Sequence, residues 1–161
     1  METGERASWA TTRLGSGRRG AFASVAHPEL DRLTRLAQRA LQTPMAVVCL
    51  ADAERSRAHG TVGVPESLAH LLSNPVLEAG ASIVAADARH DARLCDHGAL
   101  AQLGVVAYAG SPLVTAEGWV VGALVVMDRV ARRWEPEALE LLEQLATLAA
   151  GHVQLAAARR E

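Results

Sequence analysis

Residues 105–128 read VVAYAGSPLVTAEGWVVGALVVMD, two Val-rich apolar runs, Val105 to Thr115 and Trp119 to Asp128, separated by Ala116, Glu117 and Gly118. A connection this short that ends in Gly joins antiparallel strands, because parallel neighbours need a crossover of roughly a dozen residues or more. Val120, Val121, Ala123, Leu124, Val125, Val126 and Met127 offer no polar position on either face. This strand is therefore expected inside a sheet covered on both sides. Gly110 and Gly122 interrupt the runs without polar neighbours, which marks close approach of another backbone or of a ligand rather than a loop.

Outward from the hairpin the pattern alternates between helix and strand. Pro28 to Leu41 carries Leu30, Leu33, Leu36, Ala37, Ala40 and Leu41 at helical spacing, with Arg32, Arg35 and Arg39 opposite. A first strand is expected from Met45 to Leu50 and a more polar one near Arg55 to Val62, with a turn at Asp52 to Glu54. Pro65 to Ala79 reads as a helix broken at Pro75 and stopped by Gly80, followed by a short strand from Ser82 to Ala86. Asp87 to Leu103 is a polar loop grading into a short helix. Pro136 opens a long helix, with Glu135 and Glu137 in its first turn and Arg159 and Arg160 at its end.

A chain of 161 residues, half of them apolar, is expected to be one domain able to bury a core without staples. All sixteen basic residues are Arg, which excludes Lys-dependent chemistry such as Schiff bases or a P-loop lysine. A net charge of −2 with interspersed signs leaves no broad footprint for nucleic acid. Two cysteines, Cys49 and Cys95, form neither a disulfide framework nor a Cys-x-x-Cys zinc pattern. No apolar run reaches the length of a membrane span, and no signal-peptide core is present, so a cytoplasmic protein without a membrane partner is expected. Residues 1–26, rich in Gly, Ser, Ala and Arg and holding the isolated Trp9, read as a tail ahead of a domain at 27–161.

Tyr108-Ala109-Gly110-Ser111-Pro112-Leu113, Glu117-Gly118, Gly122-Ala123-Leu124 and Met127-Asp128 together resemble the terminal hairpin of a GAF domain, a sensor fold related to PAS. Pro44 to Asp52 resembles that family's first strand, and GASIVAADARHDAR at Gly80 to Arg93 resembles its strand followed by an Asp-x-x-x-Asp-x-Arg loop. The resemblance spans roughly residues 28–157. It implies an α+β fold with an antiparallel sheet of five or six strands. Helices Pro28 to Leu41 and Pro136 to Ala157 would cover one face, and the segments Pro65 to Ala79 and Asp87 to Leu103 the other. It also implies a sensory or regulatory module that binds a small molecule over the second face, or one that has lost its ligand and serves only as a protein interaction module through dimer contacts; it names no cofactor, and the output would pass to a separate kinase, phosphatase or cyclase.

Strand alternation places Val47 with Cys49 on one face, and Tyr108 with Gly110 on one face. These are expected to line the pocket together with His70, Ser73, Cys95, His97 and Leu100. The motive is Tyr108, the only Tyr in the chain, whose polar tip can orient a ligand in an aliphatic cavity. On the last helix Leu141, Leu145, Leu148 and Leu155 form a second apolar stripe beside the one that docks on the sheet, so a homodimer is expected through it.

The cluster from Asp87 to His97 holds metal-competent side chains, yet its spacing fits no established zinc pattern. A loop held by Asx turns and an Asp to Arg pair is expected instead. Cys95 is separated from His97 by Asp96, unlike the adjacent Cys-His that holds a linear tetrapyrrole in some GAF domains. Cyclic-nucleotide binding is unsupported because the Lys of that signature is missing. The enzymatic alternative is a free methionine sulfoxide reductase, which would need Cys49 and Cys95 as its thiol pair. Where many relatives carry Phe-Cys before Gly80, this chain has Leu72-Ser73.

Overall fold

The computed structural model describes residues 27–51 and 56–159. The expected tail with Trp9, the turn at Asp52 to Glu54, Arg55 and Arg160 lie outside the described residues. In chain order the elements are α1 (Pro28–Leu41), β1 (Met45–Ala51), β2 (Ser56–Val62), α2 (Glu66–Ala69), α3 (Asn74–Ala79), β3 (Ile83–Ala85), a 3₁₀ turn (Ala88–His90), α4 (Gly98–Gln102), β4 (Ala107–Val114), β5 (Val120–Asp128) and α5 (Pro136–Arg159).

The strands form one five-stranded sheet in the order β2-β1-β5-β4-β3, every neighbouring pair antiparallel. The α+β architecture expected from the sequence is therefore the one found. β5 lies at the centre, between β1 and β4, and its residues from Val120 to Met127 are all buried. That burial explains its unbroken apolar sequence, since both faces are covered by helices and a polar side chain there would lose its water. Gly122 answers to a backbone approach. A Cβ built on it would stand 2.1 Å from the Cys49 carbonyl oxygen in β1. Gly110 answers to a side chain: its Cβ would stand 2.5 Å from Val76 Cγ2 of α3.

Two cores flank the sheet. On one side Ala46, Val48, Leu50, Ala109, Leu113, Leu124 and Val126 meet α1 and α5. On the other, Met45, Val47, Cys49, Tyr108, Ala123, Val125 and Met127 meet α2, α3 and the segment through α4. α1 starts at Pro28, whose missing N–H costs nothing in a first turn, with Glu29 and Asp31 beside it. It stops where Gln42 turns left-handed (φ 56°) and donates its N–H to the Arg39 carbonyl. Gly60 of β2 lets α1 settle close, for a Cβ there would meet Thr34 Oγ1 and the Leu30 carbonyl.

The β5–α5 connection is tied down by two side chains. Trp134 Nε1 donates to the Ala85 carbonyl at 3.0 Å, and the Arg132 guanidinium stacks 4.6 Å over the Trp134 ring. Arg132 also donates to the Leu41 and Gln42 carbonyls at 2.9 and 3.0 Å and pairs with Asp128. One arginine thus closes the end of α1 against the start of α5.

The second stripe of α5 needs one correction. Leu145 is 4 % exposed and belongs to the core with Leu142, Ala146, Ala149 and Val153. α5 packs against α1 as well as the sheet, so the face it buries is wider than one stripe, and Leu141 is half-buried against the same core. Leu148 (64 %) and Leu155 (53 %) remain outside. Among the described residues no helix is long and apolar enough to cross a membrane.

Gly122→Ala tests the central strand. Because the clash is with backbone, which cannot rotate away, the destabilisation should reach at least the upper part of the roughly 1–3 kcal/mol usual for overpacking. Urea denaturation should show a lower midpoint with an unchanged slope; an unchanged midpoint would contradict the close β1–β5 approach.

Candidate functional site

Pro75 shapes the layer over the second face. A helix running through Pro65 to Ala79 would bond the Leu71 carbonyl to the N–H of residue 75, and proline has none. The helix accordingly breaks into α2 and α3, and residues 70–73 link them through tight turns, Leu72 N–H to Ala69 and Asn74 N–H to Leu71. α3 then ends at Gly80, left-handed at φ 63°, whose N–H meets the Val76 carbonyl. The broken helix leaves a row of carbonyls that face the protein interior.

Side chains of the sheet and of the α4 cap satisfy that row one by one. Cys49 Sγ of β1 lies 3.6 Å from the Ala69 carbonyl. Ser56 Oγ of β2 donates to the His70 carbonyl at 2.9 Å, as does Ser73 Oγ at 3.3 Å. The Leu71 backbone is a partner of the His97 imidazole. Tyr108 of β4 donates its hydroxyl to the Leu72 carbonyl at 2.7 Å. Ala69 and Leu71 also accept the backbone bonds of the turns, whereas His70 and Leu72 rely on the Ser and Tyr hydroxyls, and a buried carbonyl without a donor would cost roughly 1–3 kcal/mol.

The structure thus gathers much of the expected pocket lining, but around the protein's own backbone. Val47, Cys49 and Tyr108 share the second face, as the assumed register requires, and Gly110 lies beneath Val76 there. Val47, Cys49, Ser73 and Tyr108 have no solvent exposure, and Leu100 has 2 %. His97 is half-buried and caps α4, its Nδ1 facing the Leu100 N–H at 3.4 Å. Cys95 is exposed and stands apart from the group. His70 contributes its carbonyl to the row, while the residue also lines a separate open cleft of about 740 Å³ between α1, β2 and α2. Arg57, His59, Thr61 and Glu66 line that cleft too. His59 reaches it because the β1–β2 ladder bulges there, and its ring meets His27 at 5.4 Å.

Ser56 was missed by the sequence reading, and Pro75 could not have pointed to it, because Ser56 donates to the His70 carbonyl rather than to the Leu71 carbonyl that the proline leaves. In the Asp87 to His97 cluster the two acidic residues at 87 and 91 are each paired within the loop. Asp87 accepts from the Arg89 backbone N–H and guanidinium, and Asp91 does the same for Arg93. Its Arg89 hydrogen bonds hold the Asp87 carboxyl down to about 2. Among the described residues no group of three or more His, Cys, Asp and Glu is arranged to hold a metal ion.

Burial pushes the Cys49 thiol up to about 12, with a smaller opposing effect from Ser73. A thiol reagent at neutral pH should therefore modify Cys95 quickly and Cys49 only after unfolding. Two fast thiols in the folded protein would contradict this placement. Burial also holds the His97 imidazole below its ordinary value of 6.5, against the raising effects of the Leu71 backbone and Glu78. The unfolded chain then binds the proton more readily, so this group's contribution to stability is complete above pH 6.5 and is lost as pH falls through the lower folded value. His97→Asn should flatten that part of the stability profile; an unchanged slope would remove His97 from the account.

Comparison with known proteins agrees with this geometry. The GAF domain family profile matches residues 26–153. No curated protein sequence matches the chain. Among solved structures, GAF3 from Slr1393 of Synechocystis sp. PCC6803, in its photoproduct state, superposes with a TM-score of 0.67 at 17% identity, over 83% of this chain and 98% of that one. The GAF domain from Acinetobacter phosphoenolpyruvate-protein phosphotransferase gives 0.66 at 19%, over 88% and 91%. The type II free methionine-R-sulfoxide reductase from Thermoplasma acidophilum gives 0.65 at 11%, over 84% and 94%. At these identities the likeness speaks for the fold, while the profile match over most of the chain places the protein in the GAF domain family.

Proposed function

We propose that this GAF domain is a regulatory sensor module that takes a small molecule on the face covered by α2, α3 and α4. GAF domains are mostly sensory, non-catalytic modules. The observation that carries the choice over the reductase alternative is Cys49, protonated on the Ala69 carbonyl in a fully buried site while Cys95 is exposed. A reductase needs an attacking thiolate with a resolving thiol in disulfide reach. With free methionine sulfoxide and a thiol reductant, no turnover is expected; sustained turnover lost in Cys49→Ser would overturn the sensor reading. Native mass spectrometry of freshly purified protein reads the ligand directly, as added mass that unfolding removes.

The output runs through α1 and α5, to a second copy and to a separate kinase, phosphatase or cyclase. Leu148 and Leu155 support a homodimer: they stand outside the core on α5, with Gly151 between them, where a Cβ would meet no atom within 4 Å. A self-complementary stripe of this kind is buried most simply by its own copy. The Acinetobacter neighbour, a GAF domain within a phosphotransferase, supports an effector of the signalling type.

Leu148→Glu with Leu155→Glu should turn a dimer into a folded monomer by light scattering. Leu145→Glu should instead unfold the domain, since it places a charge in the intramolecular core. A wild type that is monomeric at high concentration would remove the dimer from the proposal.

A further inference from the structure

The groups over the second face differ sharply in kind. The sheet and the α4 cap supply donors, the Tyr108 and Ser56 hydroxyls and the His97 imidazole, joined by the Ser73 hydroxyl of the linker itself. The groups they hold are all carbonyl oxygens, from Ala69 to Leu72. Among the described residues no Asp or Glu is buried, although the exposed Glu78 of α3 acts on His97. Asn74 Oδ1, next to Ser73 in the chain, is the buried side-chain oxygen that has no partner among the described residues. A cation would find hydroxyl and amide oxygens here but no buried carboxylate to pair with, and burying its charge would be costly.

We propose that residues 69–72 stand in for the oxygens of a ligand, so that the signal is a compact carboxylate or carboxamide that displaces this linker and takes over its donors. The inference rests on the reading that this face binds a small molecule, and adds the ligand's chemical class and the means by which it acts. The linker is suited to leave. Separate hydrogen bonds hold its carbonyls, which regain water on leaving, and the buried Leu72 side chain is the apolar contact that the ligand must offset. Its neighbours α2 and α3 are only four and six residues long, too short to persist as helices without the contacts beneath them. A ligand carrying oxygens replaces each lost bond on the sheet side, and an amide N–H would meet Asn74 Oδ1. Binding is thereby coupled to release of the α2–α3 layer, a population shift set by the difference between the two sets of bonds.

The test titrates the whole chain with acetate, acetamide and ethylammonium at matched ionic strength and follows amide hydrogen exchange residue by residue. Acetate and acetamide should raise exchange at residues 66–79 at least tenfold and leave α1 and α5 unchanged, while ethylammonium does nothing. Tyr108→Phe should raise exchange in the same segment without any probe and weaken the response to acetate. Ser56→Ala, which removes a smaller group, should show the same pattern if Tyr108→Phe does not fold. Release by ethylammonium and not by acetate would overturn the proposed chemistry while leaving a small-molecule site on this face. Exchange at 66–79 unmoved by every probe and by both variants would overturn the displacement and the site together.

Discussion

A missing hydrogen atom shapes the layer over the second face of the sheet. Proline at position 75 has no N–H, so the helix that the surrounding residues would otherwise form cannot continue, and the carbonyls of residues 69–72 need donors besides the backbone N–H groups of Leu72 and Asn74, which reach Ala69 and Leu71. They find them in Cys49, Ser56, His97 and Tyr108, which come from two central elements, one edge strand and a helix cap. Four separate parts of the chain are thereby registered against one short linker. The hydroxyl of Tyr108 is the most committed of these groups, being fully buried with a single short bond to Leu72.

The other half of the domain rests on close backbone packing rather than on polar matching. Gly122 lets β5 lie against β1, Gly60 lets α1 lie against β2, and Arg132 with Trp134 fastens the ends of α1, β3 and α5 together. The two halves meet at Ala85 and Ala86, whose carbonyls receive Trp134 Nε1 and the Arg132 N–H. Arg93, from the loop that follows β3, reaches back to the Val84 carbonyl. Movement in the loop before α4 is therefore mechanically connected to the start of α5.

Much of this was legible in the sequence, for definite reasons. β5 has no polar residue before Asp128, so a central position was the one consistent with its composition, and strand alternation then paired Val47 with Cys49 and Tyr108 with Gly110, while the layer they face was assigned from the polar tip of Tyr108. Pro28, Gly80 and Pro136 marked helix ends because their backbone chemistry permits little else. Leu145 was misassigned because periodicity alone cannot tell how wide a face a helix buries; that depends on α1 standing beside the sheet. Val47, Cys49 and Tyr108 share one face, and the hydroxyl of Tyr108 meets the protein's own backbone there. A sequence shows that Tyr108 carries a hydroxyl, but the oxygen that receives it lies 36 residues away, in a linker whose path depends on the folded layer. The bulge that turns His59 outward was likewise invisible, since it follows from the register of β1 against β2.

The most direct measurement uses the fact that Tyr108 is the only tyrosine. Burial, with a smaller contribution from Cys49, raises its phenol well above the ordinary value of 10, so the unfolded chain loses that proton first and stability falls as pH rises beyond 10. Followed by near-ultraviolet phenolate absorbance alongside circular dichroism, the account predicts that no phenolate forms until the fold itself is lost, in a single step. A reversible titration at the ordinary phenol value, with the fold intact, would show that the Tyr108 hydroxyl is not held on the Leu72 carbonyl, and the closed linker would fall with it.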